Sequence, residues 1–211
     1  MVRKQNRSSN HLGNGRAPAD RRARRARATR QTILRAAAGV FRDRGFAATG
    51  MREIAEAADL SPANLYYYFK SKHELLYFCQ DHSVDRMLEA TRRNGGSQDP
   101  AARLRRVITA HLTCMLDELD GAAAHTEVDA LPPALRIRIV AKRDRYERAV
   151  RRIVAAGVRR GDFVPCDPAL VTRAILGALN WTAKWYRPGG REQPATLAEA
   201  FADYLVRGLR T

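Results

Sequence analysis

The 211-residue sequence predicts an all-α protein, with a three-helix head at its N-terminus and a larger helical body behind it. Two observations predict this class. Apolar residues recur three and four positions apart through most of the chain, and no segment alternates apolar and polar residues as a β-strand does. The segments between these periodic stretches are rich in Gly and Pro, which commonly end helices. The chain is long enough to bury a real core.

The first 26 residues are mainly Arg, Asn, Ser, Gly and Pro, with almost nothing to bury. This composition predicts a disordered basic arm over residues 1–26. The run RRARRAR at 21–27 has two open interpretations. It is either an arm that follows phosphates and enters a minor groove, or a solvated tail that slightly raises nonspecific affinity.

The first helix is predicted from about Thr29 to just before Gly45. Its apolar stripe comprises Ile33, Leu34, Ala37, Val40 and Phe41. Gly45 supplies the stop, and Phe46 is expected to turn back into a small core.

Two short helices joined by a tight turn follow the first helix. The first runs from about Met51 to Ala58, and Asp59 with Leu60 makes the turn. Ser61 caps the second helix and Pro62 takes its first position. This helix is predicted to bury Leu65 and Phe69 while its amide and phenol side chains project outward, those of Asn64, Tyr67 and Tyr68. Such a capped, outward-facing helix is what a DNA major groove accepts.

The string TGMREIA…LSPANLYYYFKSKxELL resembles the DNA-binding signature of the TetR family of bacterial regulators. The resemblance covers about residues 29 to 80. Two positions depart from the usual pattern: Gly50 stands in place of a Ser or Thr cap, and Asp59 in place of a turn Gly. Neither departure removes a groove-facing group. The resemblance implies a DNA-binding domain over 27–73 and a ligand-binding and dimerisation domain over 74–211.

The resemblance also implies contacts with a palindromic operator in double-stranded DNA. Thr49 and Arg52 would approach the sugar-phosphate backbone, and Lys72 would hold a phosphate at the start of the next helix. Ala63 and Asn64 would face base edges, where an Asn can pair with adenine. The tyrosines Tyr66, Tyr67 and Tyr68 would contact phosphates or a thymine methyl. Core packing remains the alternative for them, and it fits Tyr66 best and Tyr67 least.

Behind the head, Ser71 and Glu74 form a capping box for a helix that ends near Arg93. Further helices are predicted at 101–119, 123–130, 133–160, 167–186 and 196–210. The last two are apolar over much of their circumference, which calls for a second partner surface. In the family such helices form a dimer interface, so we expect a homodimer; closure of a monomeric core is the alternative.

A regulator of this kind needs an effector site, expected in the body. Candidate lining residues are Phe78, His82, His111, Met115, Tyr146, Val150, Asn180, Trp181 and Trp185. Each of these residues, considered alone, is more typical of a hydrophobic core than of a binding site, so the prediction of an effector site rests on the resemblance.

The segment NWTAKWYRPGG at 180–190 is similar to the C-terminal motif of TetR-type repressors of fatty-acid and steroid degradation that respond to acyl-CoA thioesters. In that interpretation Lys184, Arg187 and nearby arginines such as Arg143 or Arg148 meet phosphates. The alternatives are a different apolar effector, for an efflux or other catabolic operon, or a segment that merely ends a helix.

Composition limits the other classes of function. A net charge of +16 suggests polyanionic partners, mainly nucleic acid. The three cysteines are far apart, which fits neither a zinc site nor a disulfide set and favours a reducing cytoplasm. No apolar run is long enough to span a bilayer. We expect no enzyme activity, cofactor or metal site. An all-helical enzyme and a protein that coats nucleic acid through its arginines alone are the rival classes.

Overall fold

A computed structural model describes residues 16–93, 99–116, 127–187 and 189–210, with side chains from Asp20 onward. These residues form eight helices. In chain order they are α1 (Arg16–Ala48), α2 (Met51–Ala57), α3 (Pro62–Tyr68), α4 (Lys72–Arg92), α5 (Pro100–Leu116), α6 (Pro133–Arg160), α7 (Pro168–Trp185) and α8 (Pro194–Arg207). Within the described ranges the only β-type pairing is an isolated bridge between Phe163 and Arg210. The all-α prediction is confirmed.

Helix α1 begins earlier than predicted. It starts at Arg16, so the expectation of disorder up to residue 26 is wrong for residues 16–26; residues 1–15 lie outside the described part. The reason is composition, because Ala and Arg are strong helix formers and the one Pro lies in the first turn. An ion pair of 2.7 Å between Asp20 and Arg24 joins successive turns. The run at 21–27 is therefore a helical, mostly exposed basic segment.

The head closes on a small core of α1, α2 and α3. Gly45, at φ 77°, breaks α1 as predicted, and the Phe46 ring returns to lie 5.4 Å from that of Phe41. Ile54 and Leu65 are fully buried beside them. Because α4 contacts α1, this core continues into the body.

The body is layered around α4 and α5. Helix α6 packs against α4 on one side and α7 on the other, and α5 packs along α8. Arg105 of α5 pairs with Glu199 at 2.8 Å and with Asp203, which ties α5 to α8. The segment predicted as a helix at 123–130 is described only from 127, and there it is a turn leading to Pro133.

The three cysteines are all reduced. Cys79 and Cys114 are buried, and Cys166, just before α7, is half-buried. Burial raises the pKa of the Cys79 thiol to about 12. None of the described helices has the length and apolarity needed to cross a membrane.

Candidate DNA-binding surface and ligand cavity

The start of α2 is stabilised by an acidic side chain rather than by a hydroxyl cap. The Gly50 amide donates a hydrogen bond to the Glu53 carboxylate. That carboxylate also accepts from Arg44 at 2.7 Å. The bond from Gly50, together with the charge and hydrogen bond of Arg44, lowers the pKa of Glu53. A negative group at a helix N-terminus is favourable, so Glu53 compensates for the missing Ser or Thr.

The turn between α2 and α3 has the predicted geometry. Asp59 adopts φ 53°, the left-handed conformation expected at this position. The Leu60 amide donates to the Ala55 carbonyl at 2.9 Å. The Ser61 hydroxyl accepts from the Asn64 amide at 3.2 Å, which caps α3. These bonds fix the direction in which α3 leaves α2.

Helix α3 buries one face and exposes the other. Leu65 and Phe69 are buried as predicted. Ala63 and Asn64 are exposed. Tyr66 and Tyr67 are 46% and 72% exposed, which makes core packing a poor explanation for Tyr67. Tyr68 is half-buried, with its ring edge-on to Tyr67 at 5.2 Å. The predicted reading face therefore exists as an exposed, polar and aromatic surface.

Two residues predicted to approach the DNA backbone have partners within the protein. The Thr49 side chain is only 3% exposed. Its hydroxyl donates to the Gly45 carbonyl at 2.7 Å and so closes the break in α1. The Lys72 ammonium donates to the carbonyls of Phe46 at 2.7 Å and Ala47 at 3.3 Å. It also lies 4.4 Å from the centre of the Phe46 ring. Arg52 is exposed, and its contact with the DNA backbone stays a prediction.

A cavity of about 630 Å³ lies in the body between α4, α5, α6 and α7. Of the predicted effector residues it contains His111, Met115, Tyr146, Asn180, Trp181 and Lys184. Its other lining residues are Val84, Met87, Arg143, Asp144, Glu147, Arg173, Leu176 and Gly177. Apart from Arg143, these residues were not predicted from the sequence to lie in the site, because they come together only where the four helices converge.

The remaining predicted effector residues lie elsewhere. The rings of Phe78 and His82 stack on each other, 6.3 Å apart, outside the cavity. Val150 is fully buried in the core. The Trp185 ring stacks on Phe201 at 6.4 Å. The Arg187 guanidinium donates to backbone carbonyls at the end of α7. These five residues therefore lie outside the lining of this cavity, and their assignment to the effector site stays a prediction.

One buried polar atom in the cavity wall lacks a well-formed hydrogen bond. The His111 ring is 3% exposed, and its Nδ1 lies 3.1 Å from the Tyr146 hydroxyl. Among the described residues no group makes a well-formed hydrogen bond to its Nε2, and the Asn180 side chain lies close to the ring. Burial lowers the pKa of His111 to about 4, an effect that the nearby Asn180 side chain partly opposes. The imidazole is thus neutral at neutral pH and offers one hydrogen-bonding nitrogen to a cavity occupant.

Cationic groups surround the same cavity. Arg143 is partly buried, which lowers its pKa, and it donates to the Gln80 side-chain oxygen at 3.3 Å. Arg173 and Lys184 line the exposed rim. Of the two carboxylates in the lining, Glu147 is paired with Arg151. The cavity therefore combines an apolar interior with a cationic edge. The described residues contain no group of His, Cys, Asp and Glu that could hold a metal ion.

Comparison with known proteins gives two domain matches. Residues 33–77 match the family of bacterial regulatory proteins of the tetR type. Residues 97–209 match the tetracyclin repressor-like, C-terminal domain. The first match covers α2 and α3, and the second covers the last two helices and much of the cavity.

Individual proteins are similar over most of the chain. The HTH-type transcriptional repressor KstR2 of Mycobacterium tuberculosis (H37Rv) is 28% identical over 191 residues, which is 89% of this chain and 94% of KstR2. The crystal structure of the TetR family regulator PfmR from Thermus thermophilus superimposes with a TM-score of 0.75 at 34% identity, over 85% of this chain and 99% of PfmR. The structure of AibR in complex with isovaleryl coenzyme A and operator DNA has the same fold, with a TM-score of 0.69 at 24% identity over 84% of this chain and 98% of AibR.

The Lys72 contacts predict a specific loss of stability. Lys72→Met removes a charged donor from two carbonyls, so we expect the free energy of unfolding to fall by about 1–3 kcal/mol. Lys70→Met is the matched control, because Lys70 is exposed and its side chain has no described partner. Its effect should stay within about 0.5 kcal/mol. Urea unfolding followed by circular dichroism measures both, and equal stability of the two variants would show that the Lys72 bonds contribute nothing.

Proposed function

Because the chain belongs to the TetR family of DNA-binding transcriptional regulators, we propose that it is a homodimeric repressor released from operator DNA by an acyl-CoA thioester. The family is one of regulators and not of enzymes, in agreement with the sequence prediction. Its place of action is the cytoplasm, on the chromosome. The genes it controls are those of lipid or steroid degradation.

The observation that carries the DNA-binding role is the exposed face of α3. Ser61 and the Asp59 turn fix this short helix against α2, and Asn64 and Tyr67 stand out from it. An Asn at this position can accept from and donate to adenine in the major groove, and phenols can contact phosphates. The helical basic segment at 21–27 and the net charge of +16 add attraction for the DNA backbone.

Support for a homodimer comes from α7 and α8. These helices expose large apolar side chains: Leu170 is 64% exposed, Trp181 65%, Trp185 43% and Tyr204 82%. Exposed apolar side chains on two helices that both pack against α5 are typical of an interaction surface. A second copy offers the same surface under two-fold symmetry, and a palindromic operator requires that symmetry.

Support for an acyl-CoA effector comes from the chemistry of the cavity. Met87, Met115 and Leu176 offer apolar surface to an acyl chain. The Nε2 of His111, which has no well-formed hydrogen bond among the described residues, is placed to hydrogen-bond a carbonyl oxygen, and the cationic edge is suited to phosphates. The volume of about 630 Å³ is that of a small-molecule site. A different apolar effector, and with it an efflux or other catabolic operon, is the competing proposal.

The path from cavity to DNA in this proposal is α4. At its start Lys72 bonds to the end of α1 in the head, and Val84 and Met87 farther along it line the cavity. An occupant that tilts α4 moves the head with it. In a dimer this changes the spacing of the two reading helices, which must match successive major grooves about 34 Å apart.

Loss of base reading is expected from Asn64→Ala. On an operator selected in vitro from random duplexes, this variant should lose about 1–3 kcal/mol of discrimination at the base pair read by Asn64. Asn180→Ala is the control, since Asn180 lies on the cavity and outside the head. Competition binding against single-base operator variants measures the discrimination. Unchanged competition ratios for Asn64→Ala would show that α3 does not read bases through this residue.

Disruption of the dimer is expected from a charge on α8. Tyr204→Glu should shift the mass measured by light scattering from dimer to monomer, because a carboxylate would be desolvated at the interface. Ile137→Glu is the control, since Ile137 is 69% exposed but lies on α6. A Tyr204→Glu protein that remains a dimer of unchanged affinity would place the dimer interface elsewhere.

Release by an acyl-CoA is tested on the same selected operator. Octanoyl-CoA should lower operator affinity, whereas free octanoate and CoA each should not. Arg173→Gln, which removes one rim cation, should raise the octanoyl-CoA concentration needed for release about tenfold. Arg136→Gln, at the start of α6 and outside the cavity lining, is the control. Release by octanoate alone would assign the site to a different class of effector, and no release by any of the three would contradict the acyl-CoA proposal.

A further inference from the structure

A second concave site lies on the flank of α6 that faces away from the ligand cavity. It is a groove of about 600 Å³ between the end of α4, the start of α5 and α6. Its floor contains Leu88, Thr91, Ala149 and Ala156. Its walls carry six arginines and no acidic residue: Arg92, Arg103, Arg145, Arg148, Arg152 and Arg159. We call this site the arginine groove.

The arginines of the groove differ from their immediate neighbours in their pairing. Arg93, Arg151 and Arg160 each form an ion pair, with Glu89, Glu147 and Asp162 respectively. Within the described ranges none of the six groove arginines forms an ion pair with a carboxylate. At adjacent positions, Arg92 is therefore unpaired beside the paired Arg93, and Arg152 is unpaired beside the paired Arg151. The unpaired charges are gathered on one concave surface.

This arrangement has an energetic cost that an anion would offset. Arg145, Arg148 and Arg152 lie on successive turns of α6, a spacing at which like charges repel. A cleft lined by one sign of charge also concentrates the electrostatic potential, which attracts counter-ions. Guanidinium groups are suited to this role because each presents paired donors to a phosphate and has a flat face for stacking.

The position of the groove separates it from both sites described above. Arg92 lies twenty residues along α4 from Lys72, or about 30 Å from the helix end that holds the head. A duplex bound by α3 is therefore distant from the groove. The cavity residues Arg143 and Glu147 lie on the other side of α6. The groove shares no lining residue with the cavity.

From this geometry we infer that the arginine groove binds a small polyphosphate of nucleotide size, carrying at least two phosphate groups. The volume matches such a ligand and is small for a macromolecular partner. The phosphates are held by the guanidinium groups of α6, and the apolar floor accepts the remainder of the molecule. The inference does not depend on the proposed acyl-CoA effector, whose site is the other cavity.

The test uses the full-length protein with ATP and inorganic tripolyphosphate as probes, measured by isothermal titration calorimetry at fixed salt. The wild-type protein should bind ATP, and Arg148→Ala combined with Arg152→Ala should weaken that binding at least tenfold. The control is Arg93→Ala combined with Arg160→Ala, which removes the same charge from paired positions and should change the affinity less than threefold. A second groove pair, Arg145→Ala with Arg159→Ala, should reproduce the first. Equal thermal unfolding of all variants excludes a loss of fold.

Three results would overturn the inference. The first is that the wild-type protein binds neither probe. The second is that ATP affinity falls equally in the groove variants and the control variant. The third is that the groove substitutions change only the affinity for DNA. The last is measured by fluorescence anisotropy with a non-operator duplex. A loss of duplex affinity in the groove variants without any nucleotide binding would assign the arginines to nucleic acid.

Discussion

One buried ammonium holds α6 against α4 in the body. Lys142 of α6 is buried against α4, where its Nζ lies 2.6 Å from the Asp81 carboxylate and 2.8 Å from that of Asp85. It also donates to the Asp81 backbone carbonyl at 2.8 Å. A buried charge is tolerated only when it is paired in this way, and breaking such a pair is strongly destabilising. The register of α6 on α4 is therefore fixed at Lys142, one residue from Arg143 in the cavity wall.

That register sets both concave sites. With Lys142 held on α4, Arg143 and Tyr146 face the cavity while Arg145, Arg148 and Arg152 face the opposite flank. On one side, α6 thus presents Tyr146, the partner of the neutral His111 ring, and the partly buried Arg143. On the other side it presents the unpaired arginines of the groove. Helix α4 carries the consequence to the head, because its first residue is bonded to the carbonyls that end α1. Helix α4 therefore links the packing of α6 in the body to the position of the head that carries α3.

The parts of the structure that depend on neighbouring residues could be predicted from the sequence, and those that depend on distant residues could not. Ser61, Pro62 and Asp59 specify the helix-turn-helix locally, so its boundaries and exposed face were predicted closely. Local reasoning failed for the start of α1, because a helix of Ala and Arg needs no buried face to form. The burial of Thr49, for which the resemblance implied only an approach to the DNA backbone, depends on the bond of its hydroxyl to the Gly45 carbonyl. For the cavity, residue type indicated His111 and Tyr146, but not which of two neighbouring turns faces inward. The pairing of Arg93 with Glu89 follows an i,i+4 spacing that the sequence shows. The gathering of the groove arginines depends on how α4, α5 and α6 converge, which no local sequence pattern reports.

The unequal burial of the cysteines has a practical consequence for spectroscopy. Cys79 and Cys114 are sequestered, and the raised pKa of Cys79 keeps that thiol unreactive, whereas Cys166 is accessible. A thiol-directed spin label or fluorophore added to the natural protein would therefore attach at one place, immediately before α7. In a symmetric dimer the two labels would form a molecular ruler across the assembly. Distances between them could then follow rearrangements of the bodies in solution without any substitution in the chain.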